Sequence, residues 1–359
     1  MPRRRILVVL IVLLLTAGLA GLGCCTPAGY YAREARDGVR FLTARRPIDK
    51  VLADPETDDG LRRQLEIAVA AREFAVSALG LPDNKSYRHY ADLGRPYASW
   101  IVTAAPELSL APVQWCFPIA GCVTYRGYFS PRRAERFAGK LRRRGSDVDV
   151  SGVAAFSTLG WLADPVLSTF VHQPPAALAG LIFHELAHQR LYVRDDTRFN
   201  ESFATFVELE GVDRWLAATG READREAFES GKTRQRELTE LLAVTRERLA
   251  ELYGSARSDE VKRARKTEIF AGLERDVASL REKWGFEADG DGDPEEWNNA
   301  DLVAVQAYWD LVPAFRRLHD RAGGDLERFY ASAEALAALD PAERQARLDE
   351  LTAASAAAR

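Results

Sequence analysis

Along most of the chain, apolar and polar positions alternate with helical spacing. An apolar run from Ile6 to Gly23 comes first. Apolar residues then recur every three to four positions over 30–46 and 61–80, which predicts helices there. Pro82-Asp83-Asn84 reads as a turn, and Ser99–Ala104 (SWIVTA) as a strand. Ser130-Pro131 supplies a cap and a first-turn proline for a helix ending at Gly145. Asp147–Phe156 (DVDVSGVAAF) alternates and reads as a second strand. Pro174-Pro175 opens a helix-compatible stretch from Ala176 to Val193, and another helix is expected from about Thr197 to Ala218.

Beyond Trp215 the chain becomes heavily charged. Arg221–Leu252 and Ser258–Trp284, broken at Gly254-Ser255, predict a long helical hairpin whose charges solvate its outer face. Asp289-Gly290-Asp291-Gly292-Asp293 has the spacing of a calcium loop. Pro294 stands where such a loop needs glycine, however, and Ala300 where it needs its closing glutamate, so it reads as an acidic turn. Helices follow at about 300–320, 324–338 and 341–355. The expected fold class is α+β and mostly helical. Its expected divisions are a signal peptide over residues 1–23, a mixed α/β core over 24–220 and a helical region over 221–359 packed on that core.

The first 25 residues set the compartment. Arg3, Arg4 and Arg5 precede the apolar run, which closes on small residues and then Cys24 and Cys25. A basic head, an apolar segment and a small-residue junction make an export signal. A cysteine at that junction resembles the cleavage and acylation site of bacterial lipoproteins. Cys24, preceded by Gly23, is the favoured lipidation site, and Cys25, with Leu22 behind it, is the alternative. If the segment is not cleaved, its length just suffices to span a bilayer. Both routes tether the protein outside the cytoplasm of a bacterium, facing the periplasm or the exterior. In that setting Cys116 and Cys122, the two cysteines beyond the signal, are expected to form a disulfide. The net charge of −4, more negative once the basic head is removed, argues against a nucleic-acid partner.

The candidate chemistry lies in His184-Glu185-Leu186-Ala187-His188, an HExxH sequence inside the apolar helix. Residues four apart share one helix face, so His184 and His188 can present two imidazole nitrogens to one metal ion. Glu185 is placed to accept a proton from water held there. A buried helix with two structural histidines would have to bury the Glu185 charge as well, at large cost.

Two carboxylates compete for the third ligand position, Glu201 and Glu208, two turns apart on one face of the next helix. If the first helix ends near Val193 and the chain reverses in a short turn, the second helix is level with His188 at Glu201, whereas Glu208 has passed His184. The expected set is therefore His184, His188 and Glu201 around one zinc ion, with Glu208 in reserve. Thr205, one turn from Glu201, is a weaker candidate for orienting a ligand.

An HExxH helix followed by Asn-Glu-x-x-Ala (Asn200-Glu201-Ser202-Phe203-Ala204) resembles the gluzincin metallopeptidases. A longer set of segments is similar to the bacterial predicted aminopeptidases that carry a lipoprotein signal: Leu81-Pro82-Asp83-Asn84-Lys85-Ser86-Tyr87, Trp115–Cys122, Tyr125-Arg126-Gly127-Tyr128-Phe129 and Ser157-Thr158-Leu159-Gly160-Trp161. The resemblance implies a gluzincin-like core with a small sheet, zinc-dependent peptide hydrolysis and removal of N-terminal residues from a peptide or protein substrate. It also implies an edge strand beside the metal helix that pairs with substrate. Val153–Thr158 is the counterpart in position, and an ordinary internal strand is the competing reading.

A peptidase also needs a donor for the anionic intermediate. Tyr125 and Arg126 are the favoured candidates, ahead of Tyr128, Tyr192 and His172. An aminopeptidase must bind a free ammonium, for which Glu208 and Glu107 are available carboxylates. Spacing does not distinguish exopeptidase from endopeptidase action. A non-catalytic, metal-stabilised binding lipoprotein is a further alternative, which the base-like Glu185 disfavours.

Overall fold

Hydrogen bonds at the ends of the elements decide where each one stops. A computed structural model describes residues 29–30, 33–34, 36, 44–117, 121–155, 158–159, 162–286 and 296–356. The export segment with Cys24 and Cys25, and the acidic turn at 289–293, lie outside the described residues. So does most of the predicted helix over 30–46, of which residues 30, 33, 34 and 36 are helical, whereas 44–46 are not and Arg46 lies in a strand.

In chain order the elements are β1 (Arg46–Pro47), α1 (Ile48–Ala53), α2 (Asp59–Ser77), β2 (His89–Ala91), β3 (Ser99–Pro106), β4 (Trp115–Phe117), β5 (Gly121–Val123), β6 (Tyr125–Tyr128), α3 (Pro131–Arg142), β7 (Ser146–Val153), β8 (Val166–Leu167), α4 (Pro175–Arg190) and α5 (Thr197–Thr219). They continue as α6 (Glu222–Gly254), α7 (Asp259–Lys283), α8 (Asn299–Trp309), α9 (Val312–Arg321), α10 (Leu326–Ala337) and α11 (Pro341–Ala356). The fold is mostly helical α+β. Among the described residues no helix is long and apolar enough to cross a membrane.

The main sheet has the order β6-β3-β7, all antiparallel, with Ile101 opposite Gly127 on one side and Ser151 on the other. Alternation along β3 sends Val102 and Ala104 to one face, where they pack with Ala134 and Ala138 of α3. Ser99 and Ile101 point to the opposite face, which is left open to a cavity. Ser130 stands at the N-cap of α3, but its hydroxyl makes no cap bond, and Pro131 alone marks the start.

The predicted strand over 147–156 stops at Val153. There the chain leaves the ladder, and the Ala154 carbonyl accepts the Thr169 hydroxyl at 2.6 Å. Of the segment Val153–Thr158, Val153 closes the edge strand β7 and Ala154 and Ala155 continue outside the ladder, with Val153 and Ala155 lining the cavity, while residues 156 and 157 lie outside the described residues.

The two central helices, α4 and α5, run antiparallel and pack tightly. Two glycines permit the approach: a Cβ on Gly211 would press on Phe183 and Leu79, and one on Gly180 on Val212 and Glu208. α4 stops at Arg190, short of the predicted Val193. The Asn200 side chain explains the difference. It accepts the Val193 N–H and donates to the Val193 carbonyl, both at 2.7 Å, so both backbone groups are satisfied outside a helix. α5 then starts on Asp196, whose carboxylate accepts the Phe199 N–H at 3.0 Å.

The stretch predicted as one helix over 300–320 is two, α8 and α9. Pro313 opens the second. The Ser202 hydroxyl fills the break by donating to the Ala307 carbonyl at 3.1 Å and accepting the Leu311 N–H at 3.2 Å. At its other end α8 is pinned by Asn299, whose amide donates to the carbonyls of Pro106, Glu107 and Ser109.

The largest core joins α2, α4 and α5 to α9, α10 and α11 through Phe183, Phe199, Phe203, Phe206, Phe315 and Phe329, all fully buried. The α6–α7 hairpin has a separate core of Leu242, Leu249, Leu252, Phe270, Leu273 and Val277, which Leu302 of α8 joins.

Gly211→Val should cost about 1–3 kcal/mol, because α4 and α5 cannot separate without disrupting this core. Gly272→Ala, on α7 with only an Arg275 nitrogen near, should instead stabilise by roughly 0.5–1 kcal/mol. Denaturant midpoints check both, and a tolerated Gly211→Val would contradict the packing account.

Candidate metal centre

Three donor side chains from α4 and α5 converge. His184 and His188, one turn apart on α4, have ring centroids 4.9 Å apart. Glu201 faces them from α5, with Oε2 at 3.5 Å from the Nε2 atom of each ring. These contacts are too long for good hydrogen bonds, so three buried lone-pair donors point at one another with little mutual satisfaction. They form a His/His/Glu group whose ligand atoms all lie within 4.8 Å and which could hold a metal ion. Bonds of about 2.0–2.2 Å in tetrahedral directions place donors roughly 3.3–3.6 Å apart, so the 3.5 Å spacings fit such an ion.

The electrostatics follow from burial. Burial opposes a charge on Glu201, but His188 and His184 outweigh it and hold the carboxyl pKa down at about 2. Burial likewise opposes a charge on His184, and Glu201 and Glu208 outweigh it and raise the imidazole pKa. Glu185 is raised, first by burial; the two histidines pull it down without cancelling that effect. Its carboxylate makes no hydrogen bond to the described residues and lines the cavity beside the donor triad.

The other predicted residues separate. Glu208 is not the third donor of the triad. Its Oε2 lies 3.0 Å from His184 Nδ1, so it orients the ring from behind. Tyr125 and Tyr192 line the cavity. Burial and then Glu201 hold the Tyr125 phenol neutral. Arg126 does not line the cavity. Its guanidinium lies 4.1 Å from the Tyr30 ring centroid and 4.6 Å from that of Phe137, so it stacks between aromatic rings on the α3 side. Strand alternation separates it from its neighbour Tyr125. His172 is exposed in the turn before α4. Glu107 pairs with Arg263 at 2.9 Å, and Thr205 is buried without lining the cavity.

Tyr308 has no motif or spacing that marks it in the sequence. It reaches the cavity from the last turn of α8, with its ring stacked on His184 at 6.2 Å and 26°. The charge of Glu201 and then burial push its phenol pKa well above the ordinary range. The Ser202–Ala307 bond ties the end of α8 to the residue after Glu201. Only tertiary contact brings Tyr308 here.

Two further devices hold the site. Gln189, directly after the second histidine, accepts from the Asn84 amide at 2.6 Å and donates to Ser86 and Asp164. Asp164 accepts from the Thr158 N–H and hydroxyl, while Arg72 binds the carbonyls of Asn84 and Ser86. Asn84, Ser86 and Asp164 are thereby joined to the histidine helix, Thr158 is joined to Asp164, and its neighbour Leu159 lines the cavity.

On the other side, Cys116 and Cys122 are joined as a disulfide across the β4–β5 hairpin. The Cys122 N–H donates to Asp195 Oδ1 at 2.5 Å, in the turn between α4 and α5. Gly121, at φ +77°, makes this approach possible, since a Cβ there would collide with Asp195 and Arg194.

A protein-family model described as "Putative aminopeptidase" matches residues 29–348. No match is found among curated proteins or among solved structures.

Glu201→Ala should abolish stoichiometric binding of a divalent metal. Glu208→Ala should weaken it about 10–100-fold, the range for losing a group that orients a ligand. Competition with a chromogenic chelator measures both, and the reverse ranking would exchange the two roles.

Proposed function

The chain belongs to the Aminopep family, described as "Putative aminopeptidase", and from that premise we propose that it is a zinc-dependent aminopeptidase working on peptides or proteins at the bacterial cell envelope. The observation that carries this reading is the buried meeting of His184, His188 and Glu201 with an unpaired Glu185 beside them. Two imidazoles and a carboxylate suit one zinc ion and leave room for a further ligand. Such an ion supplies Lewis acidity, activating water and polarising a carbonyl.

The remaining roles belong to side chains of the chain. Glu185, with its pKa raised by burial, accepts a proton from the water that attacks the scissile carbonyl carbon. The same carboxyl delivers that proton to the amide nitrogen as the C–N bond breaks, so the amine leaves neutral. Tyr308 and Tyr125, both kept in the phenol form, are the donors available to the carbonyl oxygen as it gains charge. Glu208 fixes the ring of His184.

The tether belongs to the same proposal: an export signal over residues 1–23 and a lipid on Cys24. The Cys116–Cys122 disulfide supports an oxidising compartment.

The test uses the zinc-loaded protein on peptides with a free or an N-acetylated terminus. The free peptides should lose their first residue and the blocked ones should remain intact. Glu185→Gln should retain zinc and lose about 10²–10⁴-fold in kcat. Tyr308→Phe should lose kcat about 10²-fold with KM little changed. Full activity in Glu185→Gln would sink the mechanism, and internal cleavage of blocked peptides would replace exopeptidase with endopeptidase action.

A further inference from the structure

Gly127 stands in the middle of β6 on the cavity wall, where a glycine weakens the strand unless something needs the space. Its backbone does not require glycine, since its φ lies outside the left-handed region. Packing does not require it either: among the described residues a Cβ built there meets nothing within 4 Å. Gly152, across the same sheet, is the opposite case, with the Tyr97 ring filling its side-chain position. The backbone at Gly127 is also held, by the ladder to Ile101 and by the Tyr30 hydroxyl donating to its carbonyl at 2.7 Å. The empty volume above Gly127 therefore belongs to the cavity.

The character of that volume is apolar. Ile101, which pairs with Gly127, and Val153, Ala155 and Leu159 line with it a cavity of about 340 Å³ that also holds the donor triad. Apart from Glu185 and Glu201 at the donor triad, the carboxylate lining this cavity among the described residues is Glu34, and it is already engaged: it pairs with Arg133 at 3.2 Å, and its Oε2 accepts the Phe129 N–H at 2.9 Å. A cationic side chain would have to displace Arg133, and an anionic one would meet Glu34.

We propose that this cavity receives a large uncharged side chain, aliphatic or aromatic, from the residue whose carbonyl is attacked, and that the missing side chain of Gly127 sets the size it admits. The proposal rests on the aminopeptidase reading above and names its substrate class: peptides with a bulky apolar N-terminal residue. A few methylene groups in an apolar pocket change discrimination by about 10–200-fold each, so one added side chain at position 127 suffices to alter the preference.

The experiment compares wild type with Gly127→Val and Gly127→Ala, all zinc-loaded. Substrates are peptides beginning with Phe, Leu, Ala, Gly, Lys or Glu. Dissociation constants are measured in parallel for uncleavable analogues in which the first amide is reduced to CH2–NH. Valine suits an extended strand, so the thermal midpoint of Gly127→Val should stay at or above that of wild type, which shows the variant folded.

Wild type should favour Phe and Leu over Ala, Gly, Lys and Glu by about 10-fold or more in both kcat/KM and affinity. Gly127→Val should lose about 10-fold or more on Phe while Ala changes less than about 3-fold, with Gly127→Ala between them. Equal treatment of all first residues by wild type, or a uniform loss across substrates in Gly127→Val, overturns the proposal and leaves the peptidase reading standing. Analogue binding with the expected preference but without hydrolysis supports the cavity assignment and overturns the peptidase reading. Neither binding nor hydrolysis overturns both.

Discussion

Everything at the site depends on how closely α4 and α5 approach. His184, His188 and Glu201 meet because each helix receives the other's side chains against a glycine, Phe183 against Gly211 and Val212 and Glu208 against Gly180. Asn200 fixes the phase of that approach. By satisfying both backbone groups of Val193 it ends the first helix and sets the entry of the second, one residue before the acidic ligand. The Asn-Glu pair thus divides its work: the amide builds the turn, and the carboxylate faces the two rings. Glu208, two turns further along, meets His184 from its other nitrogen because antiparallel helices carry successive turns past one another.

The surrounding elements serve this geometry from separate parts of the chain. The hairpin with the disulfide holds the turn at Asp195. The Asn84–Gln189–Asp164 network holds the same C-terminal end of the histidine helix from another side and, through Thr158, the neighbour of Leu159. Ser202 links the helix bearing Glu201 to the one bearing Tyr308. Buried polar groups joined in this way cost little while every member is satisfied, and they rigidify what they join. The sheet adds the opposite wall, apolar and open at Gly127. The site therefore combines a dense polar support behind the donor triad with a chamber in front of it whose sheet side is largely apolar.

Much of this was legible in the sequence because it is local. The spacing of His184 and His188, the return distance to Glu201, the helical hairpin and the first strand follow from periods of 3.6 and 2. What was not legible is tertiary. Tyr308 looks like any aromatic residue in an apolar helix until α8 is anchored by Asn299 and Ser202. Arg126 and Tyr125 are neighbours in sequence, yet the pleat sends one into an aromatic stack and the other into the cavity. The break between α8 and α9 was signalled by Pro313 but masked by continuous apolar spacing. Glu208 could be ranked below Glu201 from helix geometry, whereas its bond to His184 needed the actual rotation of both helices.

The most direct test of the account is X-ray absorption at the zinc edge on the full chain loaded with one equivalent of zinc. Imidazole scattering from two histidines, with nitrogen and oxygen ligands at about 2.0–2.1 Å and no sulfur, is the predicted result. A spectrum showing fewer than two imidazoles, or zinc that fails to bind in stoichiometric amount, would contradict it.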